Sequence, residues 1–533
     1  MAKRIDARTL HARLEGPEET ALIDVREQAP YAASHPILAA NIPLSRLELL
    51  AGERIPRRST PIVVEDAGEG IAEAAAAKLE AFGYTDVSIL DGGTPAWSAA
   101  GLELFSGMHV PSKAFGEFVE HAYGTPSVSA EELKGIMDSG RKLVVLDSRP
   151  MDEYRVMNIP TGVDVPGAEL VYRVGEVAPE PDTLVVVNCA GRTRSIIGAQ
   201  SLINAGIPNE VVALRNGTMG WHLAGYQLEH GNARTAPEPA GEALAAARAR
   251  SAAAAARFGV RTVDAATLDS WRAEADRRTL AILDVRTIEE FEAGRIADSR
   301  HAPGGQLVQA TDLYLPVRNA RVVLVDDKRV RADMTGSWLA QLGWKDVYVL
   351  ESGLEGQEIA SGRYVSPALG LESLPACASI APAEAKRRMD AGSAVLLDLA
   401  RSLDYRDRHP EGAWWACRTA IAGNLSKIPD GAALVLTAPE ASLARLTAAD
   451  LADCGREVLL LDGGSAAWEA AGLPLQSGMT AVLSEPQDTY LRPYDRTNRA
   501  EIEKAMNDYL TWEIALVEQI KKAGGLSFRH YPA

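Results

Sequence analysis

Short, unbroken apolar runs alternate with helix-like segments along this chain, and the alternation is written four times. The first run of each repeat ends in an acid followed closely by arginine: Leu22–Arg26, Val145–Arg149, Ile282–Arg286 and Leu396–Arg401. Ahead of each lies a helix-start pattern, at Ile5, Val128, Val263 and Ile380. Ser129 followed by Glu132 has the spacing of a capping box. A second apolar run comes next (Ile62–Val64, Val185–Val187, Val323–Val325, Leu434–Leu436), then a short loop and a helix ending near Gly83, Gly206, Gly343 or Gly455. Each repeat closes alike, with LDGGTPAW from Leu90, LRNGTMGW from Leu214, LESGLEGQ from Leu350 and LDGGSAAW from Leu461. Apolar runs this short, with no polar alternation, are strands buried on both faces. The predicted fold class is therefore α/β: four tandem units, each a mainly parallel sheet covered by helices on both faces.

The boundaries follow from these landmarks. Residues 1–108 form unit one, 128–232 unit two, 259–365 unit three and 378–478 unit four. Each is near 100 residues, enough to bury a core of its own. Residues 109–127 predict one amphipathic linker helix, and the alanine-rich stretch 233–258 predicts a second by propensity, separating the first pair of units from the second. Residues 479–533 are a helical tail, whose Ile502, Met506, Leu510, Ile514 and Val517 fall at helical spacing and predict packing on a neighbouring unit.

Composition narrows the function. The 533 residues carry a formal charge of −17, which excludes broad attraction to nucleic acid or to an anionic membrane. No apolar stretch reaches the roughly 18 residues of a membrane span. The arginine-bearing segment Met1–Leu14 has no apolar core of about 7 residues for a secretory signal, and its pattern recurs inside the chain, so a cytoplasmic protein is expected. The four cysteines, Cys189, Cys377, Cys417 and Cys454, form no C-x-x-C pair and suggest neither a disulfide scaffold nor a metal site.

Ligands of open parallel sheets bind beyond the carboxyl ends of the strands, so the loop after the second run is the place for chemistry. The same interval from the strand-ending acid reaches Asp66 in unit one, Cys189 in unit two and Asp326 in unit three; matching strand and glycine gives Ala438 in unit four. Only unit two offers a thiol there. Its loop runs Cys189, Ala190, Gly191, Arg192, Thr193, Arg194, with a helix expected from about Ser195. A helix N-terminus offers unpaired N–H groups, Gly191 lets the backbone curl, and Arg192 and Arg194 add cations. All favour the thiolate, so Cys189 is expected to be acidic and reactive. Cys377, Cys417 and Cys454 have no such setting.

These motifs make the chain resemble the rhodanese (thiosulfate sulfurtransferase) family: the D-x-R strand, the Cys189–Arg194 loop, and the G-x-x-x-W endings at Gly93–Trp97, Gly217–Trp221 and Gly464–Trp468. The resemblance implies that Cys189 is the catalytic residue, that Ala190, Gly191, Arg192, Thr193, Arg194 and Ser195 bind substrate, and that Cys-less units accompany an active one. It implies transfer of sulfur from thiosulfate to a Cys189 persulfide, then to cyanide or another thiol, with no cofactor or metal. Two alternatives stand beside it. One is a carrier that hands persulfide to a protein thiol. The other is a cysteine-dependent phosphatase or arsenate reductase, which needs a longer loop with arginine where this chain has Ser195.

Comparison among the repeats adds one candidate and removes others. Unit two has Arg215 where the other units have Asp91, Glu351 and Asp462, so Arg215 is expected to attract anions. Asp147 and Arg149 recur in Cys-less units and are expected to fix the scaffold. Asp66 and Asp326 are expected to be freed from catalysis or to hold some other ligand. Lys328, Arg329 and Arg331 beside Asp326 and Asp327 make a mixed-charge loop that suggests no anion pocket.

Overall fold

The computed structural model describes residues 2–532. Each repeat builds one sheet with the same strand order. In unit two the strands run Ser127–Val128, Val211–Leu214, Leu184–Asn188, Leu143–Asp147 and Val163–Asp164 across the sheet, all parallel. Unit one repeats this with Lys3–Ile5, Val87–Leu90, Ile62–Glu65, Thr20–Asp24 and Ala40–Asn41. Units three and four centre in the same way on Arg321–Val325 and Ala433–Thr437. The central strands are buried along almost their whole length, as runs without polar alternation require. The Ser129–Glu132 capping box forms.

The D-x-R motif is scaffold. Arg149 reaches back to Asp147 with Nε–Oδ1 at 2.9 Å and a second nitrogen to Oδ2 at 2.7 Å, and also donates to the Met157 carbonyl. Arg26–Asp24 and Arg286–Asp284 repeat the pair, both members buried. Each arginine thereby ties the end of the first strand to the turn that follows its short helix.

The units are not beads on a string. Val317–Arg318 of unit three pairs antiparallel with Thr20–Asp24 of unit one. Buried Arg418 of unit four grips Glu48 of unit one at 2.8 and 2.9 Å. The alanine-rich helix, Gly241–Arg257, was expected to separate two pairs of units; it instead packs on helices Glu169–Val177 and Val330–Gln341, joining unit two to unit three. Small side chains permit that approach on both sides.

The first linker helix forms, as Val110–Tyr123, and both its flanks are covered, by the helix Thr193–Asn204 and by the tail helix Arg499–Ala523. Phe115 and Val119 share one core with Ile196 and Ile197 of unit two and Leu307 and Trp338 of unit three. Gly116 makes the contact possible: a Cβ there would lie 2.8 Å from Thr193 Cγ2. Along the tail helix the buried positions are Met506, Leu510, Glu513, Leu516 and Ile520, whereas Ile514 is half exposed. The tail before residue 499 has one short 3-10 turn, Pro493–Asp495, and otherwise runs irregularly. No described helix is long and apolar enough to cross a membrane, and no group of metal-ligating side chains occurs among the described residues.

Candidate active site

Cys189 follows directly on the central strand Leu184–Asn188 of unit two, and the next helix begins at Thr193, two residues earlier than expected. The recurrent G-x-x-x-W ending explains how the loop is held. Gly217, at φ 53°, lies so close beneath the loop that a Cβ would sit 2.2 Å from the Cys189 carbonyl oxygen. The amides of Thr218 and Met219 donate to the carbonyls of Cys189 and Ala190 at 2.8 and 3.0 Å. Gly93 backs Asp66 of unit one in the same way, its Cβ position 2.3 Å from that carbonyl. Only glycine permits this stacking.

The repeats show what the loop amides do. In unit one the Asp66 carboxylate accepts the backbone N–H groups of Gly68, Gly70 and Ala72 at 2.8–3.0 Å. In unit three Asp326 accepts those of Lys328, Arg331 and Ala332, and the Arg331 guanidinium besides. Both acids therefore meet the amides of their own loop. In unit two the corresponding N–H groups, Gly191, Thr193, Arg194 and Ser195, have no oxygen acceptor among the described residues. The shorter, softer Cys189 side chain stands where the carboxylates stand, 2% exposed, its thiol directed at Ser195 Oγ 3.6 Å away.

Around this loop lies a cavity of about 310 Å³. Its wall includes Cys189, Ala190, Gly191, Arg192, Thr193 and Arg194, so the structure gathers these expected residues. Ser195 lies behind them, its hydroxyl donating to the Arg192 carbonyl at 2.8 Å. Both arginines are spoken for. Arg192 pairs with Glu117 at 2.6 and 2.8 Å and with Glu120, both on the linker helix. Arg194 forms a two-pronged pair with Glu153, 2.8 Å at each prong. Burial pushes the Glu153 carboxyl up, but Arg194 outweighs it and brings it down to about 2. Arg192 was expected as a free cation of the cradle; the two glutamates neutralise it because a guanidinium this buried needs partners. Arg215 does end the neighbouring strand, yet its guanidinium turns outward to Ser127 Oγ at 3.3 Å, exposed and outside the cavity wall.

Sequence reasoning missed the roof. Tyr509 and Glu513 of the tail helix lie over Gly191, where a Cβ would meet Tyr509 at 3.1 Å and Glu513 Oε2 at 3.3 Å. Thr193 Oγ1 donates to Glu513 Oε1, and the Lys113 ammonium of the linker helix stands 3.8 Å from the same oxygen. Burial lowers the Lys113 pKa, against the pull of Glu513. The tail thus covers the Cys189 loop as well as packing on a neighbouring unit. A glutamate set among apolar helix positions was the one available hint. The rest of the wall comes from every other unit: Gln28, Gln306, Gln309, Tyr314 and Arg401, with Tyr490 and Tyr494 of the tail.

Comparison with known proteins agrees with this architecture. Residues 6–100, 129–224 and 266–359 match the family model described as Rhodanese-like domain, together more than half of the chain. A crystal structure of thiosulfate sulfurtransferase from Pseudomonas aeruginosa is 48% identical, covers 99% of this chain and 100% of its own, and superposes with a TM-score of 0.94. The HTH-type transcriptional regulator Rv0324 of Mycobacterium tuberculosis is 29% identical over 110 residues, 20% of this chain and 47% of that protein. YrkF of Bacillus subtilis is 31% identical over 102 residues, 19% of this chain and 54% of that protein. The chain spans about half the length of these curated relatives. Its repeated sheets, its loops and the three matched segments together establish that the chain belongs to the rhodanese-like family.

Proposed function

We propose that this protein is a sulfurtransferase that moves a sulfane sulfur from thiosulfate, through a persulfide on Cys189, to a thiophilic acceptor. The observation that carries this is the internal comparison of loops. The amides that hold a carboxylate in units one and three surround a nucleophilic side chain in unit two. The likeness to the Pseudomonas aeruginosa thiosulfate sulfurtransferase supports the same reading.

In the first half-reaction the Cys189 thiolate attacks the outer sulfur of thiosulfate. The new bond is Cys189 Sγ–S; the S–S bond of thiosulfate breaks, and sulfite leaves with its electron pair. Donor and product are both anions, and the persulfide left on Cys189 is an anion as well. Amides fixed before reaction stabilise charge at that place without reorganising, as an oxyanion hole does. Arg194, Arg192 and Lys113 add positive potential at the wall, reduced by their partner glutamates. Cys189 is deeply buried beneath the tail, which favours a small-molecule donor over direct contact with a protein.

Intact-mass measurement after exposure to thiosulfate tests the proposal. One added sulfur per chain is expected, absent in Cys189→Ala and retained when Cys377, Cys417 and Cys454 are replaced together. Sulfur on more than one site, or none on Cys189, overturns it.

A further inference from the structure

The strand-ending acid of units one to three holds the arginine two positions on, buried against it. Unit four reads Asp398-Leu399-Ala400-Arg401, so its arginine comes one position late. Among the described residues the Asp398 carboxylate accepts only the backbone N–H of Ala400, at 2.9 Å. The Trp415 indole N–H donates to the Ala400 carbonyl at 2.9 Å and braces the turn from the other side. Arg401, displaced from the scaffold, is exposed, makes no ion pair or side-chain hydrogen bond among the described residues, and lines the Cys189 cavity. The other guanidinium groups of the wall have acid partners: Arg192 with Glu117 and Glu120, Arg194 with Glu153, Arg492 with Asp495.

The cavity is also large for a thiosulfate ion. Its volume of about 310 Å³ falls at the lower end of pockets that take organic molecules. Besides the Cys189 loop its wall carries amides (Gln28, Gln306, Gln309), phenols (Tyr314, Tyr490, Tyr494, Tyr509) and Arg401. Of the nearby acids, Glu153 in the wall is held by Arg194, and Glu513 above Gly191 is met by Thr193 and Lys113. Such a surface suits an anionic organic group.

Resting on the sulfur-transfer reading above, we propose that the Cys-less units and the tail form an acceptor subsite for a low-molecular-weight organic thiol bearing a carboxylate, with Arg401 binding that carboxylate. The acceptor thiol gives its proton to solvent. Its thiolate then attacks the outer sulfur of the Cys189 persulfide, forming an S–S bond in the acceptor. The bond from that sulfur to Cys189 Sγ breaks, and its electron pair returns to Cys189. Sulfur and charge balance without an outside oxidant or reductant, and thiosulfate reloads the cysteine.

The test uses the full chain, loaded with thiosulfate, checked by intact mass and freed of excess donor. Discharge rates are then measured across concentrations of mercaptosuccinate and 3-mercaptopropionate, with neutral 1-thioglycerol as reference. Arg401→Ala is expected to lower the ratio of carboxylated to neutral efficiency about tenfold, the loss of one charge-assisted contact, through KM and not the limiting rate. Arg401→Lys should recover most of it. Arg387→Ala, which removes an equal charge from an exposed helix of unit four, should leave the ratio as it is. A ratio unchanged in Arg401→Ala, or lowered equally by Arg387→Ala, overturns the subsite. A wild-type chain that takes up no sulfur on Cys189 overturns the underlying reading instead, so the two failures are told apart.

Discussion

Arg149 and Arg401 come from the same motif and should respond to mutation in opposite ways. Arg149 is about 1% exposed, and Arg149→Met removes three contacts: two to the Asp147 carboxylate and one to the Met157 carbonyl. Asp147 keeps the Asn188 side-chain amide at 2.8 Å and the Arg149 backbone N–H at 3.1 Å, but its charge is left buried without a cation. Breaking such a pair costs about 3–5 kcal/mol. Arg401→Met removes no contact of the scaffold and should cost roughly 0.5 kcal/mol or less. With four units, global unfolding is not a single transition, so the assay is hydrogen exchange read by segment. Protection of Leu143–Asp147 and Leu184–Asn188 should fall by most of that energy in Arg149→Met. In Asp147→Asn/Arg149→Met, where the carboxylate is replaced by a neutral amide, part of it should return. A loss below about 1 kcal/mol in these strands, or an equal loss around Asp398 in Arg401→Met, refutes the division into scaffold and cavity arginines.

Four further outcomes are expected. Burial pushes the Asp398 carboxyl up to about 6, so the folded state holds its proton more tightly than the unfolded chain does; this contribution to stability is present below about pH 4, is lost as pH rises through 6, and Asp398→Asn should abolish the slope, which segment-resolved exchange between pH 4 and 7 measures. Burial, with Glu27 beside it, pushes the Cys417 thiol up to about 12, so at pH 8 its alkylation should be slower than that of a peptide thiol by on the order of 10³, and peptide mapping after iodoacetamide checks this. Asp66→Ala leaves three loop N–H groups without their carboxylate, so hydrogen-exchange protection of Ile62–Glu65 should fall, with millimolar sulfate restoring part of the loss in the variant and leaving the wild type unchanged. Arg215→Asp should raise the thiosulfate KM only at low ionic strength, since an exposed charge outside the cavity acts through a screened field; an unchanged KM at low salt removes Arg215 from the reaction.

The parts of this molecule legible in its sequence are those set by local pattern or by repetition. Unbroken runs such as Val185–Val187 read as strands buried on both faces, and the equal interval from Asp24, Asp147 and Asp284 set Cys189 beside Asp66 and Asp326 without any outside comparison. Contacts between units left no such trace. Arg192 read as a cradle cation because Glu117 and Glu120, which neutralise it, sit on a linker helix with no counterpart in the other repeats. The tail periodicity placed Ile514 and Val517 on the buried face, but Glu513 turns inward there because its partners, Thr193 and Lys113, lie on two other elements. Arg401 was visible as a late arginine in LLDLAR, and its meaning emerges only once three buried pairs show what the ordinary spacing does.

The Cys-less units are better understood as completed loops than as failed sites. A ring of convergent N–H groups is a liability in a folded protein unless an acceptor meets it, since each buried donor left unmade costs about 1–3 kcal/mol. Unit one meets it with Asp66 and unit three with Asp326, each supplied by the chain itself. Unit four differs: its helix begins at Ala441, only three residues after Ala438, and the loop carries no acid at the position of Asp66 and Asp326. Under the proposed function, unit two leaves its amides to an anion from outside, and an outside anion that becomes a persulfide must also be kept from stray thiols and water. That requirement would be met by surfaces unit two does not own: the linker helix through Lys113, the tail through Tyr509 and Glu513, and the remaining units through the rest of the wall. Units one and three, whose loops are satisfied by their own acids, can present rigid faces toward that cavity, so the loss of the thiol in them and the enclosure of the one that remains are two sides of the same arrangement.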